Sequence, residues 1–116
     1  MTDEARVDEA AALERLGALG HETRLEALRL LIEAGPAGLA AGRIAERLAV
    51  RENALSPHLD RLTRAGLATR RRDGRCILYR ADEGGIADLM RTLLQDCCDG
   101  RPELCGPAAV WWETRS

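Results

Sequence analysis

Along most of this 116-residue chain apolar positions recur at helical spacing, and in one place the rhythm switches to that of paired strands. Val7, Ala10, Leu13 and Leu16 mark a first helix within Thr2 to Gly17, acidic at its start. A second helix is predicted from Glu22 to Ala34, with Leu25, Leu28, Leu31 and Ile32 inward. His21 opens it in a hydrogen-bonded role, and Gly35-Pro36 ends it. Within Gly38 to Leu48, Leu39, Ile44, Ala45 and Leu48 give a third stripe. After a turn around Ala49 to Glu52, Leu55, Leu59 and Leu62 give a fourth, stopped by Gly66 where a left-handed cap is wanted. Pro57 removes a backbone donor, so this helix is expected to start late, with Asn53 as its N-cap. Leu67 to Arg72 and Arg75 to Arg80 then read as two strands joined at Asp73-Gly74, a strong hairpin signal. Finally, Asp82-Glu83-Gly84-Gly85 supplies an acidic helix start, and Ile86, Leu89, Met90, Leu93 and Leu94 form the densest stripe.

These elements predict a mainly α fold with a two-stranded β wing: a single winged helix-turn-helix domain over 1–116. The helix-turn-helix lies at about 40–65, the wing at about 67–80, and a last helix with a thiol-bearing tail at about 83–116. The three central helices suffice to close a winged core, which leaves the first and last helices with apolar faces to cover. A two-fold homodimer packed through those helices is the economical arrangement. It would also present two reading heads to a palindromic site about one helical turn apart. No cationic leader and no membrane-length apolar run occurs, so a cytoplasmic location without membrane contact is expected.

Charge sharpens this picture. The formal net charge is only −2. Between Arg43 and Arg80, however, ten Arg face four acids, a local +6, while the rest of the chain carries −8. Such a basic patch is the usual source of phosphate contacts with double-stranded DNA. Every cation is Arg, suited to bidentate contact; codon bias accounts for the absence of Lys but not for the clustering. With the leucines of the fourth helix buried, Asn53, Pro57, Arg61 and Arg64 turn outward and Ser56 lies on the flank. These are the candidate base and phosphate readers, and Arg70, Arg72 and Arg75 are the candidate wing contacts. His58 falls toward the buried edge, in a packing or hydrogen-bonding role.

Four cysteines remain. Cys76 alternates with Leu78 and Arg80 on its strand and reads as packing. Cys97, Cys98 and Cys105 fall within nine residues, and in a reducing cytoplasm clustered thiols favour metal or redox chemistry over structural disulfides. Neighbouring residues of a regular helix diverge by about 100°, but Gly100 and Pro102 break the helix and allow Cys105 to fold back. Three soft sulfur donors without a fourth suit trivalent arsenic or antimony, whereas zinc prefers four ligands. A zinc or cadmium site recruiting Cys76 or a partner-chain group stays open, as does a redox switch between Cys105 and Cys97 or Cys98. No strand-loop-helix nucleophile setting, C-x-x-C or phosphate-holding loop occurs, which argues against an enzyme. The apolar tail Ala108-Ala-Val-Trp-Trp112 has three open readings: a cover over the sulfur site, a segment packed on the body, or a disordered end.

Several stretches together resemble the ArsR/SmtB family of winged-helix repressors, in particular its arsenic-sensing members. Leu19-Gly-His-Glu-Thr-Arg-Leu25 is similar to the family's opening motif, and Asn53-Ala-Leu-Ser-Pro-His-Leu59 to its recognition helix. Leu62-Thr-Arg-Ala-Gly-Leu67, and Arg72-Asp-Gly-Arg75 leading to Tyr79, extend the likeness over about Leu13 to Leu94. The resemblance implies a homodimer that occupies its operator when free and leaves it when ligand binds. Two departures narrow it. Arg43 to Leu48 lacks the cysteine many members carry there, and Ile86 to Asp96 lacks the histidines of the zinc sensors. The arsenical type of site therefore carries over only to Cys97, Cys98 and Cys105.

Overall fold

The structure, a computed structural model, describes residues 9–97 together with 101 and 103, and only the backbone of Asp96 and Cys97. Among the described residues five α-helices and three strands follow in order: α1 (Glu9–Ala18), α2 (Glu22–Ala34), β1 (Leu39–Ala40), α3 (Ala41–Leu48), α4 (Glu52–Arg64), β2 (Ala68–Asp73), β3 (Cys76–Ala81) and α5 (Glu83–Arg91). A 3₁₀ turn at Gly35–Ala37 follows α2, and α5 runs into a π-helical turn at Thr92–Cys97. The fold is the expected winged helix-turn-helix, mainly helical, with the hairpin β2–β3 as the wing. Its core gathers Leu28 and Leu31 of α2, Ile44 of α3, Leu55, Leu59 and Leu62 of α4, and Tyr79 of β3. Burying each leucine is worth about 1.5–3 kcal/mol relative to leaving it exposed.

Helical spacing located the helices but did not always identify their inner face. On α1 the core side is Ala12 and Ala18, whose small side chains let the helix lie close to α4, while Leu13 and Leu16 point outward, 63% and 42% exposed. On α2, Ala27, Leu28 and Leu31 face in. Leu25 and Ile32, expected inward, flank that stripe and are largely exposed. His21 caps α2 as expected: its Nδ1 accepts the Thr23 N–H at 3.1 Å.

The third stripe starts two residues late, because Leu39 belongs to a strand. Leu39 pairs with Tyr79 and Ala40 with Leu78, making a three-stranded antiparallel sheet in the order β1-β3-β2. Gly38 permits this approach. Its φ is +72°, and a Cβ there would stand 2.5 Å from the Tyr79 carbonyl oxygen.

Two further expectations shift by a residue or so. α4 begins at Glu52, with Arg51 at the N-cap, so Asn53 is inside the helix and Pro57 is one turn further in. The missing Pro57 N–H leaves only the Asn53 carbonyl without its helical donor, on an exposed face where water can serve it. The wing turn is Gly74-Arg75 rather than Asp73-Gly74, since Asp73 pairs with Cys76. Gly74 has φ +67° while Arg75 does not enter positive φ, the pattern of a type II′ turn. That register puts Cys76 at the hairpin tip, where it is exposed, not packed as its alternation suggested.

Candidate nucleic-acid interface

In α4 the buried leucines fix what the opposite face offers. Asn53, Ser56 and Pro57 are all exposed and, with Glu52, line a shallow depression at the helix's N-terminal end. α3 crosses close by: a Cβ on Gly42 would lie 3.2 Å from Glu52 Oε1, so the Glu52 carboxylate leans onto α3. An amide, a hydroxyl and an apolar ring therefore share one surface, the donor, acceptor and methyl-contacting set that base edges require.

The arginines of the basic stretch divide into two groups. Arg43 pairs with Glu46 at 2.8 Å and Arg64 with Asp60 at 3.1 Å, both in solvent. Arg61 reaches back to Glu14 of α1 at 2.8 Å. It thus fastens α1 to α4 and lies away from Asn53 and Ser56, although it was expected to face outward with them. Among the described residues the others form no ion pair: Arg47 and Arg51 beside the head of α4, Arg70, Arg71, Arg72 and Arg75 of the wing, and Arg80. Arg70 stands over the Tyr79 ring, 6.0 Å from its centroid, and Arg80 Nε donates to Thr69 Oγ1 at 3.4 Å. Arg72 and Arg75 project freely. The unpaired cations belong to the helix-turn-helix and to the wing, and are available for phosphate.

Sequence reasoning passed over Arg47, Arg51 and Arg71. Arg51 stood immediately before the recognition helix, and that adjacency was the available signal. Arg15 of α1 ties down the end of α4, from which the wing departs. Its Nε donates to the Ala65 carbonyl at 3.1 Å, satisfying a group left open at the end of α4, while Asp82 N–H bonds to Leu67 O at 2.9 Å.

Of the thiols, Cys97 ends the π-helical turn that extends α5. Its side chain, Cys98 and Cys105 lie outside the described residues, and among the described ones no cluster of three or more metal-binding side chains forms. Also among the described residues, no helix is long and apolar enough to cross a membrane.

The comparisons agree with this geometry. A family described as a helix-turn-helix domain matches residues 19–71. A protein of Halobacterium salinarum, named for repression of an arsenical resistance operon, is 40% identical over 75 residues, 65% of this chain. The match spans 57% of that relative's own length. The solved ArsR-like transcriptional regulator of Rhodococcus sp. RHA1 is 33% identical with a TM-score of 0.70, over 80% of this chain and 85% of that one. The homodimeric winged helix-turn-helix DNA-binding domain of a possible ArsR-family transcriptional regulator from Mycobacterium bovis is 27% identical, TM-score 0.65, over 90% and 92% of the two chains. Matching fold, identity and coverage place this chain in the ArsR-like family of winged-helix transcriptional regulators, not among enzymes.

Proposed function

We propose that the chain is a repressor: a homodimer that holds operator DNA when free and lets go when trivalent arsenic, or antimony, is captured by Cys97, Cys98 and Cys105. The observation that carries the DNA half is the exposed Asn53–Ser56–Pro57 face flanked by unpaired arginines. In this reading Asn53 and Ser56 address base edges, Pro57 offers an apolar contact, and Arg70, Arg72 and Arg75 meet phosphate. Arg64, exposed beside its Asp60 partner, exchanges carboxylate for phosphate on binding, whereas Arg61 positions α4 through Glu14. Each arginine that touches phosphate releases counterions. Arg72→Gln should therefore weaken binding to all sequences alike and flatten the log–log salt dependence by about one unit. An unchanged slope in salt-titrated binding isotherms would remove Arg72 from the interface.

Dimerisation is supported by the outward leucines. α1 and α5 are neighbours, and Leu13, Leu16 and Met90, the last 39% exposed, leave apolar surface on both. The Mycobacterium bovis relative is described as homodimeric. Leu13→Glu touches no core contact of the protomer, so it should give a folded monomer with native helicity. Analytical ultracentrifugation checks this, and a dimer that persists in both Leu13→Glu and Leu16→Glu would place the interface elsewhere.

For the ligand, support comes from donor chemistry and from the name of the Halobacterium salinarum relative. Three thiols within nine residues form a soft donor set, and such a set favours a thiophilic ion over a hard one. When bound, the ion supplies three bonds to sulfur that draw one short segment together. The chain's part is mechanical. Cys97 ends a π-helical turn, a rare form that is frequent at functional sites, which supports the end of α5 as the place to change shape. Because α5 adjoins the proposed interface, reshaping it biases the dimer between arrangements of its reading heads. A typical coupling of about 1–3 kcal/mol suffices to vacate a site. The test is arsenite-induced release from DNA, with zinc and cadmium in parallel.

A further inference from the structure

The corner between α1, α2 and α4 holds both histidines of the chain, and each uses its Nδ1 in a hydrogen bond. The rings of His21 and His58 lie 4.4 Å apart, tilted by 38°. His21 Nδ1 accepts from the Thr23 backbone N–H, and His58 Nδ1 stands 3.3 Å from Arg24 Nη1. A backbone N–H and a guanidinium can only donate, so both Nδ1 atoms must be unprotonated acceptors. Arg24 is itself fixed, its Nε donating to the Ala18 carbonyl at 2.6 Å. A chain of contacts thus runs from the end of α1 through Arg24 to His58 on the recognition helix, with His21 stacked on it.

We propose that this pair is an acid-labile latch that docks α4 against α2 only while the His58 imidazole is neutral. Protonating His58 puts a hydrogen on the atom that receives Arg24 and a second cationic group beside Arg24. The groups facing His58 from α2 are His21 and Arg24. From α1, Glu14 is engaged by Arg61, one turn further along α4, and so does not offset the charge. Burial, then His21, then Arg24 hold the His58 pKa below its usual value. A folded-state pKa below the unfolded one makes the latch fully effective above about pH 6.5, and its contribution is lost as pH falls from there toward the folded value. His58 lies two residues from Ser56, so acid would loosen the surface assigned above to DNA. That consequence rests on the proposed function; the latch itself does not.

The test exploits substitutions that keep the acceptors and abolish titration. Asn is a good N-cap, and the Gln carbonyl can still receive Arg24. The full-length protein should melt several degrees lower at pH 5.5 than at 7.5, on the order of 5 °C. The double variant His21→Asn/His58→Gln should match it at pH 7.5 and lose most of that pH dependence. NMR titration of the His58 imidazole supplies the second readout, with its midpoint expected below 6.5. A His58 midpoint at or above 6.5, or a double variant with undiminished pH dependence, overturns the latch. A flat wild-type profile between these pH values does the same. Failure of DNA binding at both pH values would instead count against the proposed function and leave the latch standing.

Discussion

Replacing Cys97, Cys98 or Cys105 by Ser, one at a time, should leave DNA affinity intact and abolish release by arsenite. Serine is nearly isosteric but offers a hydroxyl, a hard donor that holds a thiophilic ion poorly. In the unsubstituted protein, arsenite should weaken DNA binding by about 5–150-fold, the usual span of coupling between two sites. Each variant should show no weakening at the same arsenite concentration, because two sulfurs cannot enforce the rearrangement that three impose. Cys76→Ser is the control. Its thiol is exposed at the tip of the wing, and its loss should leave the response unchanged. Fluorescence anisotropy with labelled promoter DNA reads both quantities. Normal release by all three tail variants would place the sensory site elsewhere; loss of response in Cys76→Ser would bring in the fourth thiol and favour a zinc- or cadmium-type site.

Two adjacent glycines of α5 should answer the same substitution with opposite signs. Gly85 is buried where the start of α5 meets the end of α4, and a Cβ there would run into the Gly66 carbonyl oxygen. That obstacle is backbone and cannot rotate away. Gly66 has φ +84°, its surroundings filled by the Arg15 guanidinium, so retreat would break the cap of α4. Gly85→Ala should therefore cost at least about 3 kcal/mol, beyond ordinary overpacking. The melting temperature should drop by more than about 10 °C. At Gly84 a Cβ meets only Asp82 Oδ1, at 3.6 Å, an ordinary contact. Gly84→Ala should stabilise by about 0.5 kcal/mol, since alanine gives up less conformational freedom in a helix. Calorimetry of both variants decides the matter. Equal and small effects would mean that α4 and α5 do not meet through backbone at this point.

The contrast between these glycines shows what the sequence could convey. Gly66 was legible as a helix stop and Gly84-Gly85 as a helix start, because caps are local. That the two meet was not legible, since contact between residues 19 positions apart leaves no periodic trace. The same reason hid the short strand at Leu39, whose place depends on Tyr79 forty residues later, and the Arg61–Glu14 pair that draws a supposed DNA reader onto α1. Leu55, Leu59 and Leu62 were fully legible, because one apolar stripe on an otherwise polar helix admits one inner face. α1 offered two candidate faces, alanine and leucine, and the protomer buries the smaller. The leucine face left outside is the best structural argument for a second subunit. The basic stretch was visible as composition, but which arginines are free within it depended on where the carboxylates fell.

The sharpest test of the whole account follows one complex through one titration. The purified protein is bound to a labelled fragment from upstream of its own coding sequence, and arsenite is added while anisotropy and protein-bound arsenic are read together. DNA should leave as one arsenic per protomer is taken up, and zinc at the same concentrations should leave the complex in place. Arsenic taken up without release of DNA would contradict it, as would release by zinc alone.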